Sequence, residues 1–390
     1  CRTGAPLACL VEGWALSQMR PCGQPSNKAA DPGTALARFT TACDMGLQRG
    51  CVEAGRLHHG GIGAKRNYGL SVPLFKRACD AGHTFGCTRL ALAHFQGRGV
   101  GKDRAKAVQI FIRACDQGDL LACNNLGQPY AMGAGVKKDP LRSRALFEKA
   151  CRGGILVACT NLGRVYKRGI GVRKDPTKAA SLFKKACDGG HVLGCSLLAI
   201  AHATGTGVER NDAIAMRLFD KACQGGHMRN CANLAVSYYH GKSVAKDRAM
   251  AARLYRKACL GGFLPSCINL GLQYRLGDGI AAGPGRAAML FKKACDGGHL
   301  RGCVQLALVH AAGDGVRRDA HIAASLLDKA CDGGNMLGCS NLGVAYLYGK
   351  GVTKDPSKAA ALFKRACDRG DKTGCKNLQL LGSQSNKSGP

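Results

Sequence analysis

The feature that most constrains this chain is a pair of cysteines returning at a fixed interval. In Cys187-Asp-Gly-Gly-His-Val-Leu-Gly-Cys195 two cysteines stand eight positions apart around a glycine-rich turn. The same frame recurs as Cys1/Cys9, Cys43/Cys51, Cys79/Cys87, Cys115/Cys123, Cys151/Cys159, Cys223/Cys231, Cys259/Cys267, Cys295/Cys303, Cys331/Cys339 and Cys367/Cys375. From Cys43 onward every step is 36 residues. A constant period in this range marks a stacked repeat, in which each unit buries its apolar face only against its neighbours. The 390 residues would otherwise suggest two or three globular domains. The repeat points instead to one array over 1–381, with a polar, unpatterned and disordered tail over 382–390.

One repeat shows what the unit is. Starting at Cys331, it reads CDGGNMLGCSNLGVAYLYGKGVTKDPSKAAALFKRA. Cys339, Leu342, Gly343 and Tyr346 follow the i, i+3, i+4, i+7 rule for one helix face, and Ala359, Leu362, Phe363, Ala366 and Cys367 define a second. Asp355-Pro356 starts the second helix, with Asp as cap and Pro at the first helical position, where its missing N–H costs nothing. Gly370 stops it, and Gly349 and Gly351 end the first. Small residues recur in the first helix at Gly127, Gly163, Ala199, Ala235, Gly271, Ala307 and Gly343, which allows close helix approach. Helices of about 13 residues are marginal alone, so stacking must hold them. Pro73 and Pro129 fall inside expected helices and should kink or shorten them.

Of 23 cysteines, 22 fall into these eleven pairs. That regularity reads as a disulfide framework in an oxidising, secreted or periplasmic compartment. Zinc is the poorer reading, because no Cys-x-x-Cys occurs. Each bridge would join the end of a second helix to the start of the next first helix. The odd cysteine, Cys22, lies in a six-residue insertion within 17–30 and is free or bonded elsewhere. The chain starts in mid-repeat and reads as part of a longer protein. A lipidated Cys1, with Cys9 paired to Cys22, is the alternative. No run long and apolar enough to span a membrane is present.

The motifs N-L-G-x-x-Y, G-x-G-V, K-D-P-x-K-A and L-F-K-K-A, in register with the cysteine pair, resemble the Sel-one-like repeat (SLR) family, relatives of tetratricopeptide repeats. The Cys-x7-Cys element is similar to the Helicobacter cysteine-rich subgroup. The resemblance implies an all-α fold, a right-handed α/α superhelical solenoid of about ten repeats, and a role as scaffold for protein complexes. It also implies an alternative, since members of that subgroup are described as penicillin-binding proteins with slow β-lactamase activity. In tetratricopeptide-like arrays the first helix lines the concave face.

Against that background, Asn125, Asn161, Asn233, Asn269, Asn341 and Asn377, each two residues after the second cysteine, form a candidate ladder. Amide side chains there can hold the backbone of an extended peptide. They can equally bond the turn of an adjacent repeat. His83, His191, His227 and His299 share a position with Asp119, Asn335 and Asp371, which suggests helix capping rather than metal binding. His58, His94, His202 and His310 alternate with Tyr130, Tyr166, Tyr238, Tyr274 and Tyr346 and read as half-buried contacts. No metal ligand set and no cofactor motif is identified. The net charge of +32 favours acidic protein or peptide partners. Lys184-Lys185, Arg256-Lys257, Lys292-Lys293 and Lys364-Arg365 fall late in the second helix, where cations suit the dipole. Non-specific nucleic-acid or polyanion binding is a second alternative, weakened by an aromatic content of 5%. Ser181-Leu-Phe-Lys184 has the letters of a β-lactamase motif without its companions, and Gly97-Arg-Gly-Val-Gly-Lys102 lacks the strand a phosphate loop needs. We assign no catalytic residue.

Overall fold

A helix this short persists only if its ends are satisfied and one face is buried. In the computed structural model, which describes residues 5–17 and 31–385, every helix between residues 32 and 368 buries one face, and nearly all the second helices of the repeats are capped by a side chain. The helices are α1 (Pro6–Ser17), α2 (Pro32–Asp44), α3 (Gln48–Gly60), α4 (Tyr68–Asp80), α5 (Thr84–Gln96), α6 (Arg104–Asp116), α7 (Leu120–Met132), α8 (Pro140–Arg152), α9 (Leu156–Arg168), α10 (Pro176–Asp188), α11 (Val192–Thr204), α12 (Asp212–Gln224), α13 (Met228–His240), α14 (Arg248–Leu260), α15 (Leu264–Leu276), α16 (Pro284–Asp296), α17 (Leu300–Ala312), α18 (Ala320–Asp332), α19 (Met336–Tyr348), α20 (Pro356–Asp368) and α21 (Lys372–Ser385). From α3 on, odd numbers are the first helices of the repeat and even numbers the second. No strand occurs among the described residues. The fold is an all-α solenoid of tandem two-helix repeats. Its helices fall into two compact units, one reaching Ala201 and taking in Gly205–Glu209, the other holding His202–Thr204 and Arg210 onward.

The cap chemistry is repeated with few exceptions. Asp31, Asn67, Asp103, Asp139, Asp175, Asn211, Asp247, Asp319 and Asp355 each accept a backbone N–H three residues on. Gly283, which has no side chain to cap with, is followed by Pro284 at the first helical position. The backbone N–H of the capping residue donates in turn to the carbonyl of the His/Tyr position of the preceding first helix, as in Asp175 N to Tyr166 O at 3.0 Å and Asp355 N to Tyr346 O at 2.9 Å. That bond closes the loop between the two helices.

Within a repeat the helices meet through an aromatic ring on a small residue. Phe39, Phe75, Phe111, Phe183, Phe291 and Phe363 are fully buried. At Gly163 an added Cβ would sit 2.5 Å from the Phe183 ring, and at Gly343 2.6 Å from Phe363. The small residues expected from sequence therefore do permit close approach. Pro73 and Pro129 do not shorten their helices; α4 and α7 each span 13 residues like their neighbours. Helix α21 continues to Ser385, four residues into the stretch expected to be a tail.

Ten disulfides have both cysteines among the described residues: Cys43–Cys51, Cys79–Cys87, Cys115–Cys123, Cys151–Cys159, Cys187–Cys195, Cys223–Cys231, Cys259–Cys267, Cys295–Cys303, Cys331–Cys339 and Cys367–Cys375. Their Cα–Cα separations are 4.4–4.8 Å. The first cysteine of each pair lies near the end of a second helix, and its partner in the first turn of the next first helix. On those first helices Cys51, Cys87, Cys123, Cys159, Cys195, Cys231, Cys267, Cys303 and Cys339 are all buried. Cys9 is also buried and disulfide-bonded. Its expected partner Cys1, the free-thiol candidate Cys22 and residues 18–30 lie outside the described residues.

Candidate functional site

The first helices carry the proposed amide ladder. Asn125, Asn161, Asn269, Asn341 and Asn377 are half-buried and Asn233 is exposed. Their partners differ. In the N-terminal unit Asn161 Nδ2 donates to Asn124 Oδ1 at 3.0 Å, and Asn124 Nδ2 donates to Asn125 Oδ1 at 3.2 Å. This short amide relay ties one repeat to the next, and the sequence reading missed Asn124. In the C-terminal unit Asn341 Nδ2 donates to Leu337 O at 2.7 Å. That bond uses one of its two donors and leaves its carbonyl oxygen for another partner. Asn341 also lines a groove of about 380 Å³ between α17 and α19, floored by Ala323, Ala324 and Leu327 of α18. Burial pushes the Tyr255 phenol up to about 12, an effect that the neighbouring Asn269 amide moderates.

The histidine and tyrosine positions resolve into structural roles. His83 Nδ1 accepts from Gly86 N at 3.4 Å, and Asp119, Asn335 and Asp371 cap their helices likewise. His191, His227 and His299 make no such cap. His191 Nδ1 instead lies 2.8 Å from Thr160 Oγ1, the same inter-repeat latch that Thr88 makes to Asp119 at 2.7 Å and Ser340 to Asp371 at 2.6 Å. Burial holds the His191 imidazole below its ordinary pKa. At four of the five copies where the other position is Tyr, a cation from the first turn of the second helix stacks on the ring: Arg142 on Tyr130 at 4.8 Å, Lys178 on Tyr166 at 4.4 Å, Arg286 on Tyr274 at 5.7 Å and Lys358 on Tyr346 at 4.3 Å, whereas Tyr238 has Met250 at that place. Where the position is His, the first-turn residue is apolar at Leu70, Ile214 and Ile322 and basic only at Lys106. No group of three His, Cys, Asp or Glu among the described residues is placed to hold a metal ion.

Several of the late cations pair locally. Lys76, Lys184, Lys292 and Lys364 pair with the Asp four residues on. The following cation reaches back to the end of the preceding second helix: Lys149 Nζ to Cys115 O at 3.2 Å, Lys185 Nζ to Cys151 O at 3.3 Å, Arg365 Nη2 to Cys331 O at 3.2 Å. There it meets the negative end of a helix dipole. Ser181 Oγ donates to Lys178 O at 2.9 Å while Lys184 pairs with Asp188, so the two do not assemble a nucleophile and base. Gly97 caps α5, and Gly99 lies against the backbone of Tyr68.

With the hairpin and its caps established, comparison with known families is decisive. The Sel1 repeat profile matches nine segments, 49–83, 84–119, 120–155, 156–191, 192–227, 231–263, 264–299, 300–335 and 337–371. The chain belongs to the Sel1 repeat family. Each Sel1 segment runs from a first helix through the turn after the second, so each bridge crosses a repeat boundary. Similar solved Sel1-type structures include a protective antigen of uropathogenic Escherichia coli with an SLR fold, at 24% identity, covering 98% of this chain and 89% of that one with TM-score 0.54. A Sel1 repeat protein of Oxalobacter formigenes is 20% identical, covering 64% and 96% of the two chains, with TM-score 0.55. Helicobacter pylori cysteine rich protein B is 32% identical over 34% of this chain and 96% of its own, with TM-score 0.29. No curated protein sequence matches this one. No helix among the described residues is long and apolar enough to cross a membrane.

Proposed function

We propose that this Sel1 repeat protein is a disulfide-stapled scaffold that binds extended segments of acidic proteins or peptides along its first helices, in a secreted or periplasmic setting. The observation that carries this reading is the groove between α17 and α19, where Asn341 stands beside an apolar floor with a carbonyl oxygen and one N–H to offer. An amide there bonds peptide backbone whatever the side chains, and the surplus of 57 basic over 25 acidic residues selects for acid. The bridges support an oxidising location.

The test is capture from a periplasmic or secreted extract by the wild type and by an Asn233/Asn269/Asn341→Ala variant. Loss of captured protein in the variant, and elution of acidic partners by salt, is the expected result. Equal capture by both would remove the amides from the account. Thiol titration of the native protein tests the compartment: predominantly reduced cysteines would contradict it.

A further inference from the structure

Grooves between successive second helices recur, each floored by the first helix between them. One, between α4 and α6, contains Lys76 and Asp80. Another, between α12 and α14, contains Arg217 and Asp220. The equivalent groove between α14 and α16, about 290 Å³, is lined by Arg256, Arg286 and Lys293 and by no carboxylate. The sequence shows why. The residue after the first cysteine of the pair is Asp at positions 44, 80, 116, 188, 296, 332 and 368, but Arg at 152, Gln at 224 and Leu at 260. Without that partner one turn on, Arg256 donates through Nη2 to the Tyr274 hydroxyl at 2.5 Å. The Arg286 guanidinium lies 5.7 Å from the centre of the same ring. Beside these cations Leu260 and Met289 are each 72% exposed.

Two guanidinium groups gathered on one tyrosine, next to bare apolar side chains, fit a ligand that carries a carboxylate and a bulky apolar group on one small frame. Arginine forks match a carboxylate two bonds at a time. The volume is at the lower end of ligand pockets, about 300–1,000 Å³, and suits a single residue rather than a long chain. The last residue of a polypeptide has both features. We propose that the α14–α16 groove captures the free C-terminus of a partner polypeptide ending in a large apolar residue, with the carboxylate at Arg256 and Arg286 and the side chain against Leu260 and Met289. This site uses second helices and stands or falls separately from the amide ladder.

The experiment is fluorescence anisotropy on the full oxidised chain with a labelled hexapeptide ending in Phe, as the free acid and as the amide. Leu260→Asp is the informative variant: it restores the residue that seven other copies carry and returns a carboxylate to Arg256. Circular dichroism and thermal melting confirm its fold. The acid peptide should bind, with the amide and the Leu260→Asp variant each about ten- to hundredfold weaker. Equal binding of acid and amide, indifference to Leu260→Asp, or no saturation up to about 1 mM would overturn the proposal. Hydrocinnamate binding as tightly as the peptide would overturn the polypeptide assignment in favour of a small acid.

Discussion

Position 243 shows how one side chain is accommodated where the backbone favours none. Gly63, Gly99, Gly135, Gly171, Gly207, Gly279, Gly315 and Gly351 all hold positive φ, and the equivalent residue here is Ser243 at φ 64°. Its hydroxyl donates to Asp212 Oδ2 at 2.8 Å, and Asp212 is also held by Arg210 at 3.1 Å. The hydrogen bond accompanies a conformation that disfavours a Cβ. Ser243→Gly should therefore be more stable than Ser243→Ala by about 1 kcal/mol, measured by chemical denaturation; equal stability would show that the turn relaxes. Gly163→Val tests packing in the same way. The added methyls meet the Phe183 ring, and a loss of about 1–3 kcal/mol is expected. The sequence made the small residue at 163 legible through its period. The cost of Ser243 was not read there, because a backbone dihedral is visible only once its partner at 212 is placed.

At the scale of the helix pair, the bridges and latches set stability. Replacing Cys187 and Cys195 together by Ala should lower unfolding free energy by roughly 2–3 kcal/mol, the chain-entropy value for so short a loop, read from denaturant midpoints. Buried histidines add a pH dependence. Burial lowers the pKa of His58, His59 and His191 below 6.5. The unfolded chain then binds protons more readily than the folded one, so stability present above about pH 6.5 falls as the pH drops through the folded values. Thermal melts from pH 8 to 5 should show that decline, and His191→Asn should flatten it; an unchanged slope would remove His191 as a contributor. Helix limits, caps and cysteine spacing were legible because each is a local rule. The inter-repeat partners were not: Lys149 finds Cys115 O, and Asn161 finds Asn124, 34 and 37 positions away. Nothing local signals such contacts until the stacking geometry is fixed.

For the whole molecule, the charge balance sets a salt dependence. A net +32 repels itself, and salt screens that repulsion over about 10 Å at 0.1 M. Raising NaCl at constant pH should raise the melting temperature while weakening capture of acidic partners; a flat melting response would mean that the local pairs already neutralise the field. The all-α array was legible from a single period, whereas the departure at Leu260 emerges only when copies are set side by side.

The placement of the bridges also governs what a protease leaves behind. Every described disulfide spans the turn from a second helix to the next first helix, as Cys187–Cys195 does, while the loop containing Arg173 and Lys174 has no such tie. A nick between Gly189 and Gly190 would leave both pieces covalently attached and running as one band on a non-reducing gel. Cleavage after Arg173 or Lys174 would yield two separate bands with or without reductant.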